Sequence, residues 1–167
     1  MDADTPRFTL REVAAATGWH LGTMRDYFVR GIFPWAADEG KAKMAGATSR
    51  LSLRSAIRLG VTQALWAQGI APREAFKAAT SFADFGSAPS RNAYGVTRLA
   101  GSLFPDGYDT ILLWRAGVGA RIIPVETGST VSLDALLAAP FDGAAGPVTL
   151  IRVDDLVERV MAALVAV

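Results

Sequence analysis

The sequence predicts a mainly α protein with a small α+β part at its C-terminal end. Three observations carry this. Apolar residues recur at three- and four-residue spacing through most of residues 9–83. A Gly-, Ser-, Pro- and Asn-rich stretch, Asp84 to Gly95, then interrupts the pattern. Beyond the turn signal Pro105-Asp106-Gly107 the period changes to short β-like runs.

The first element opens at Thr9-Leu10-Arg11-Glu12, a capping box in which the Thr9 hydroxyl and the Glu12 carboxylate each satisfy a backbone N–H. Leu10, Val13, Ala14 and Thr17 mark one face, and Gly18 ends a helix of about two turns. The second helix starts near His20 or Leu21. Leu21, Met24 and Phe28 face a core and leave Gly22, Thr23, Arg25, Asp26 and Arg30 outward. Gly31 stops this helix and Pro34 forbids its return. Two short helices joined so tightly make a helix-turn-helix.

Residues 34–51, with Lys41, Lys43 and Arg50, hold neither period and read as a long irregular hairpin, a wing, or else as a surface loop. Residues 52–69 form a longer helix capped by Ser52, with Ile57, Val61, Ala64 and Leu65 buried and Gly69 as its stop. Pro72 opens a fourth helix that runs through Phe82. Residues 84–95 are the linker between a domain at 1–83 and another at 96–167.

In the second domain residues 96–104 are expected to add a short helix. Residues 110–116 and 120–125, with Gly117 and Gly119 between, read as a hairpin. A helix over 132–139, a strand over 147–153 and a helix over 154–167 complete it. The last helix carries Leu156, Val157, Val160, Met161 and Leu164 on one stripe, a surface for either dimerisation or covering the small sheet.

Composition bounds the function. Apolar residues at 51% and charged residues at 20% describe a globular chain. The lack of cysteine removes disulfides, thiolate metal sites and thiol catalysis. The opening Met1-Asp2-Ala3-Asp4 is no secretory signal, and no apolar run reaches the roughly 18 residues a membrane span needs. A cytoplasmic location without membrane attachment is expected. Residues 1–83 carry eleven Lys/Arg against seven Asp/Glu, net +4, while residues 84–167 carry six against nine, net −3. The two halves are expected to meet different partners.

The first eighty residues resemble the winged-helix DNA-binding domain of the mercury-resistance regulator (MerR) family. The resemblance rests on Ala14-Ala15-Ala16-Thr17-Gly18, Arg25-Asp26-Tyr27, Gly31-Ile32-Phe33-Pro34, Arg50-Leu51-Ser52 and Gly69-Ile70, in the family's order and near its spacing. It covers half of the chain. His20 stands where a Ser usually caps the second helix, Leu51 replaces an aromatic residue, the wing is longer, and the family's long dimerising helix is missing after residue 83. The resemblance therefore implies a DNA-binding half and not the family's way of activating a promoter.

On this reading Arg25, in the first turns of the outward face, reaches a guanine edge or a phosphate. Gly22, Thr23 and His20 lie at the end that enters the groove, with His20 as a cap or phosphate contact. The resemblance gives Tyr27 a contact to the DNA backbone; the alternative is a core aromatic. Arg11 and Arg30 add backbone contacts, and Lys41, Lys43 and Arg50 meet phosphates or a minor groove.

The expected function is that of a sequence-specific double-stranded DNA-binding regulator of bacterial or phage type. It would act as a nucleoid-associated homodimer, with an effector or protein partner at residues 96–167. One rival is an excisionase-like DNA-bending factor. The other is a protein- or ligand-binding module that docks through the helix-turn-helix. No catalytic constellation, metal site or cofactor motif is expected: His20 is the single histidine, the Asp residues are scattered, and Gly117-x-Gly119 opens no helix.

Overall fold

The computed structural model describes residues 2–37, 39, 49–88, 95–138, 141 and 146–165. Helices and strands are mixed within it, and the chain divides into two compact units. One comprises residues 1–76 with 156–167, the other residues 77–155. The division differs from the one expected at 83 and 96, because residues 156–167 join the N-terminal part.

In the first unit, β1 (Phe8–Thr9) leads directly into α1 (Leu10–Thr17). Its capping box forms as the sequence implies: the Thr9 N–H donates to Glu12 Oε2 at 2.6 Å and the Glu12 N–H donates to Thr9 Oγ1 at 3.3 Å. The bond from the Thr9 N–H to the ionised carboxylate, with a contribution from the Thr9 side chain, holds Glu12 below the usual glutamate range. Gly18 ends the helix in the left-handed region at φ 78°, which a side chain would strain. α2 (Leu21–Val29) follows three residues later. It closes with the Ile32 and Phe33 N–H groups both donating to the Tyr27 carbonyl.

β2 (Arg50–Leu51) pairs antiparallel with β1, Phe8 against Leu51 and Thr9 against Arg50. The part of the expected wing at 38 and 40–48, Lys41 and Lys43 included, lies outside the described residues. α3 (Leu53–Ala67) is capped by Ser52, whose hydroxyl accepts from the Ser55 N–H at 3.1 Å. α3 is the buried centre of this unit: Leu53, Ala56, Ile57, Leu59, Gly60, Val61 and Leu65 are all enclosed. α4 (Pro72–Ala83) begins at the predicted proline.

α3 also explains where the closing helix, α6 (Val153–Val165), goes. A Cβ built on Gly60 would sit 3.1 Å from Leu156 Cδ2 and 3.2 Å from Val160 Cγ2. The missing side chain is what lets this part of α6 approach α3. Leu156, Val157, Val160 and Leu164 are buried within the chain. They are therefore corrected from a dimerisation surface to core, and among the five expected residues only Met161 stays exposed.

In the second unit β3 (Tyr108–Arg115) and β4 (Gly119–Glu126) form the expected antiparallel hairpin, with β3 starting two residues and ending one residue earlier than expected and β4 one residue longer at each end. β5 (Thr149–Arg152) pairs antiparallel on the other side of β3, giving the order β4-β3-β5. The odd-numbered face of β3 presents Ile111 and Leu113 to Phe141, Ile123, Val125 and Val148, and to Leu136 and Leu137 of α5 (Leu133–Ala138). The Thr110 N–H donates to the Asp154 carboxylate at 2.6 Å, which ties the start of α6 to the middle of the sheet.

The helix expected over 96–104 does not form. Arg98 bridges to Ser87 in extended backbone, and Gly101 adopts φ 71°. The Arg98 side chain is the reason for the compact loop. It is 2% exposed, and its guanidinium donates to the carbonyls of Phe82, Phe85, Leu99 and Ser102. It also lies over the Phe82 ring at 4.8 Å. Burial pushes its pKa down to about 10, so the group stays charged at neutral pH. Among the described residues no helix is long and apolar enough to cross a membrane.

The Gly60 approach sets a test. Gly60→Val drives two branched methyls into Leu156 and Val160 and is expected to cost about 1–3 kcal/mol of stability. Urea denaturation at unchanged slope reads the loss directly; an unaltered midpoint would show that α6 is not packed there.

Candidate nucleic-acid interface

The surface of interest is built by one buried tryptophan. Gly18 reverses the chain, Trp19 then turns inward, and His20 turns outward. Trp19 is 5% exposed, and its indole N–H donates to the Leu59 carbonyl of α3 at 2.9 Å. Its ring stacks on Trp66 at 5.0 Å and meets Tyr27 and Phe33 edge-on at 5.8 and 5.5 Å. Phe33 in turn stacks on Phe76 at 5.1 Å and meets Phe28 edge-on. This aromatic cluster holds α2 from beneath, together with the buried Met24 and Phe28.

Packing α2 by that side leaves the other in solvent. Gly22, Arg25, Asp26 and Val29 are exposed and fall at i, i+3, i+4 and i+7, a continuous stripe. The Arg25 side chain makes no hydrogen bond or ion pair among the described residues. Asp26 is paired: its Oδ2 accepts from Arg30 Nη1 at 3.2 Å, with both side chains more than half exposed. Val29 is 86% exposed. The outward set expected from the sequence, Gly22, Thr23, Arg25, Asp26 and Arg30, does not include it. Its signal was present, since position 29 lies seven residues from Gly22 and opposite the Leu21-Met24-Phe28 face.

The remaining site residues divide. His20 is exposed at the N-cap position, and its side chain makes no cap bond to the helix. Its imidazole lies instead against Gly22, where a Cβ would come within 3.2 Å of the ring. Thr23 is half-buried beside the stripe. Tyr27 is half-buried and edge-on to both Trp19 and Phe33, so its ring is part of the aromatic cluster. Arg11 is exposed on α1. Arg50 is exposed too, but its Nη1 donates to the Arg7 carbonyl and so braces the β1–β2 pair.

A buried carboxylate fixes the edge of this surface. Glu39, 8% exposed, accepts from the Ser52 N–H and hydroxyl at 2.9 Å each, and from the Ala36 N–H at 3.3 Å. It thereby clamps the segment after α2 onto the N-terminus of α3, where the helix dipole favours a negative charge. An acidic residue inside an irregular stretch gave no sequence signal for this.

No family model matches the chain, and no curated protein matches it in sequence.

Trp19→Phe keeps the ring packing and removes the N–H that reaches Leu59. An expected loss of about 1–2 kcal/mol follows from the lost bond and the smaller ring. Thermal unfolding measures it, and a variant as stable as the parent would remove Trp19 from its anchoring role.

Proposed function

We propose that the chain is a sequence-specific double-stranded DNA-binding regulator, with α1 and α2 as a helix-turn-helix of the kind the mercury-resistance regulators use. One observation carries the reading. A short helix, three residues after a left-handed glycine, presents an unbroken exposed stripe of Gly22, Arg25, Asp26 and Val29. The Arg25 side chain at its centre has no hydrogen bond or ion pair among the described residues. Such a helix fits a major groove, where a guanidinium donates bidentately to guanine O6 and N7.

The rest of the surface supplies supporting roles. On this reading Arg30, held by Asp26, and Arg11 on α1 meet phosphates. His20 adds a polar group at the entering end of α2. Lys41 and Lys43, outside the described residues, are the further cations this reading gives to phosphates. A homodimer is the form that binds, because one such helix reads only a few base pairs. With the stripe of α6 turned into the core, the dimer forms through other residues, for which Met161 and Val165 are the exposed large apolar side chains described on that helix.

Selection from random duplexes followed by a gel-shift titration tests the reading. A preferred, two-fold symmetric site bound well above a nonspecific duplex is expected. Arg25→Ala should cost about 1–3 kcal/mol of specific binding and relax one position in each half-site. Lys41→Ala and Lys43→Ala should weaken all duplexes alike and lower the salt slope by about one phosphate each. Equal affinity for every duplex, or wild-type preference in a folded Arg25→Ala protein, would sink the proposal.

A further inference from the structure

The second unit holds an arginine that its own fold does not explain. Arg115 ends β3 on the same face as Ile111 and Leu113, the face covered by Phe141 and the aliphatic residues around it. It is 6% exposed, and its guanidinium carbon lies 4.8 Å from the centre of the Phe141 ring. Its Nε and Nη1 are buried and have no hydrogen-bond partner among the described residues. No carboxylate among the described residues pairs with it. A guanidinium does not give up its charge near neutral pH. Withdrawing it from water without an acceptor is unfavourable, and one ring face offsets only part of that.

The other buried arginines show what a structural role looks like in this chain. Arg98 satisfies Nη1 and Nη2 with four carbonyls. Arg58 donates Nη2 to Ser55 Oγ at 3.1 Å and lies over the Phe76 ring. Each of these has Nε alone as a buried nitrogen without a hydrogen-bond partner among the described residues, whereas Arg115 has both Nε and Nη1. The neighbouring strand offers no side chain opposite Arg115. Its partner across the hairpin is Gly119, at φ 101°, and a Cβ there would meet nothing within 4 Å. With Phe141 against one face of the planar cation, its edge N–H groups are left to meet an acceptor.

We propose that Arg115 binds the oxyanion, carboxylate or phosphate, of a small ligand that enters beside Gly119. The ligand's oxygens accept from Nη1 and Nε, in the charge-assisted geometry that guanidinium groups favour. Phe141 sets the plane of the cation and so the direction of approach. This assignment stands on residues of the second unit alone and does not rest on DNA binding by α2.

The test uses the full chain, with sodium phosphate and sodium acetate as probes and sodium chloride at equal ionic strength as the control. In protein labelled with nitrogen-15, the Arg115 Nε–H resonance should shift saturably with phosphate or acetate and not with chloride. The more effective of the two probes identifies the headgroup. Melting should rise by about 2–4 °C at saturation. Arg115→Met should melt no lower than the anion-free parent, because an unpaired charge leaves the core, and should lose the response. Arg115→Lys should fold and respond weakly, since one ammonium replaces the fork.

Three results would overturn the proposal. One is a parent whose Arg115 resonance follows phosphate and acetate no more than chloride. Another is an Arg115→Met protein that melts well below the anion-free parent, which would make the guanidinium a structural group. The last is a resonance that shifts with duplex DNA and with neither small anion. The titration of the parent stands even where Arg115→Lys fails to fold.

Discussion

The N-terminal unit depends on the insertion of Trp19. Three residues separate α1 from α2, and their geometry decides where α2 points. Gly18 reverses direction without strain, but a reversal alone leaves the second helix free to swing about it. The indole prevents this by reaching the Leu59 carbonyl and filling the space among Tyr27, Phe33 and Trp66. Edge-on and stacked ring pairs contribute about 0.5–1.5 kcal/mol each beyond their area. Several such pairs around one side chain give α2 a single orientation. The exposed stripe is thus a consequence of what is buried: fix Met24, Phe28 and Tyr27 against the aromatic cluster, and Gly22, Arg25, Asp26 and Val29 have only solvent to face.

Local pattern carried much of the fold. The capping box at Thr9, the stops at Gly18 and Gly31, the Ser52 cap and the Pro72 start all depend on residues within one helical turn, and each could be read from neighbours alone. The hairpin was legible for the same reason: its two runs flank Gly117 and Gly119, and its register follows from the turn. The outward placement of Arg25 needed only the period of the helix. What the helix touches is a proposal that draws on resemblance.

The parts that escaped are those in which distant residues meet. Nothing near Glu39 announces that Ser52 will bind its carboxylate, and nothing near Arg98 announces four carbonyl partners spread over residues 82–102. Residues 96–104 read as helical from composition, yet a buried cation that collects those carbonyls outweighs a weak local preference. The apolar stripe of α6 was visible, but its destination was not. A stripe states that something will cover it. Whether that is a second chain or the same one is decided by a complementary surface, here a glycine nearly a hundred residues away.

That glycine makes the first unit discontinuous along the chain. Residues 1–76 acquire their last buried surface only when residues 156–167 arrive. During synthesis at about 5–20 residues per second, the N-terminal unit must wait several seconds while residues 77–155 are made. Through that interval α3 exposes the apolar groove around Gly60, bounded by Thr17. The intervening unit has a sheet and core of its own and needs no such wait. Vectorial synthesis therefore inverts the usual order: the part made first is completed last, and the second unit is the earlier of the two to reach its final packing.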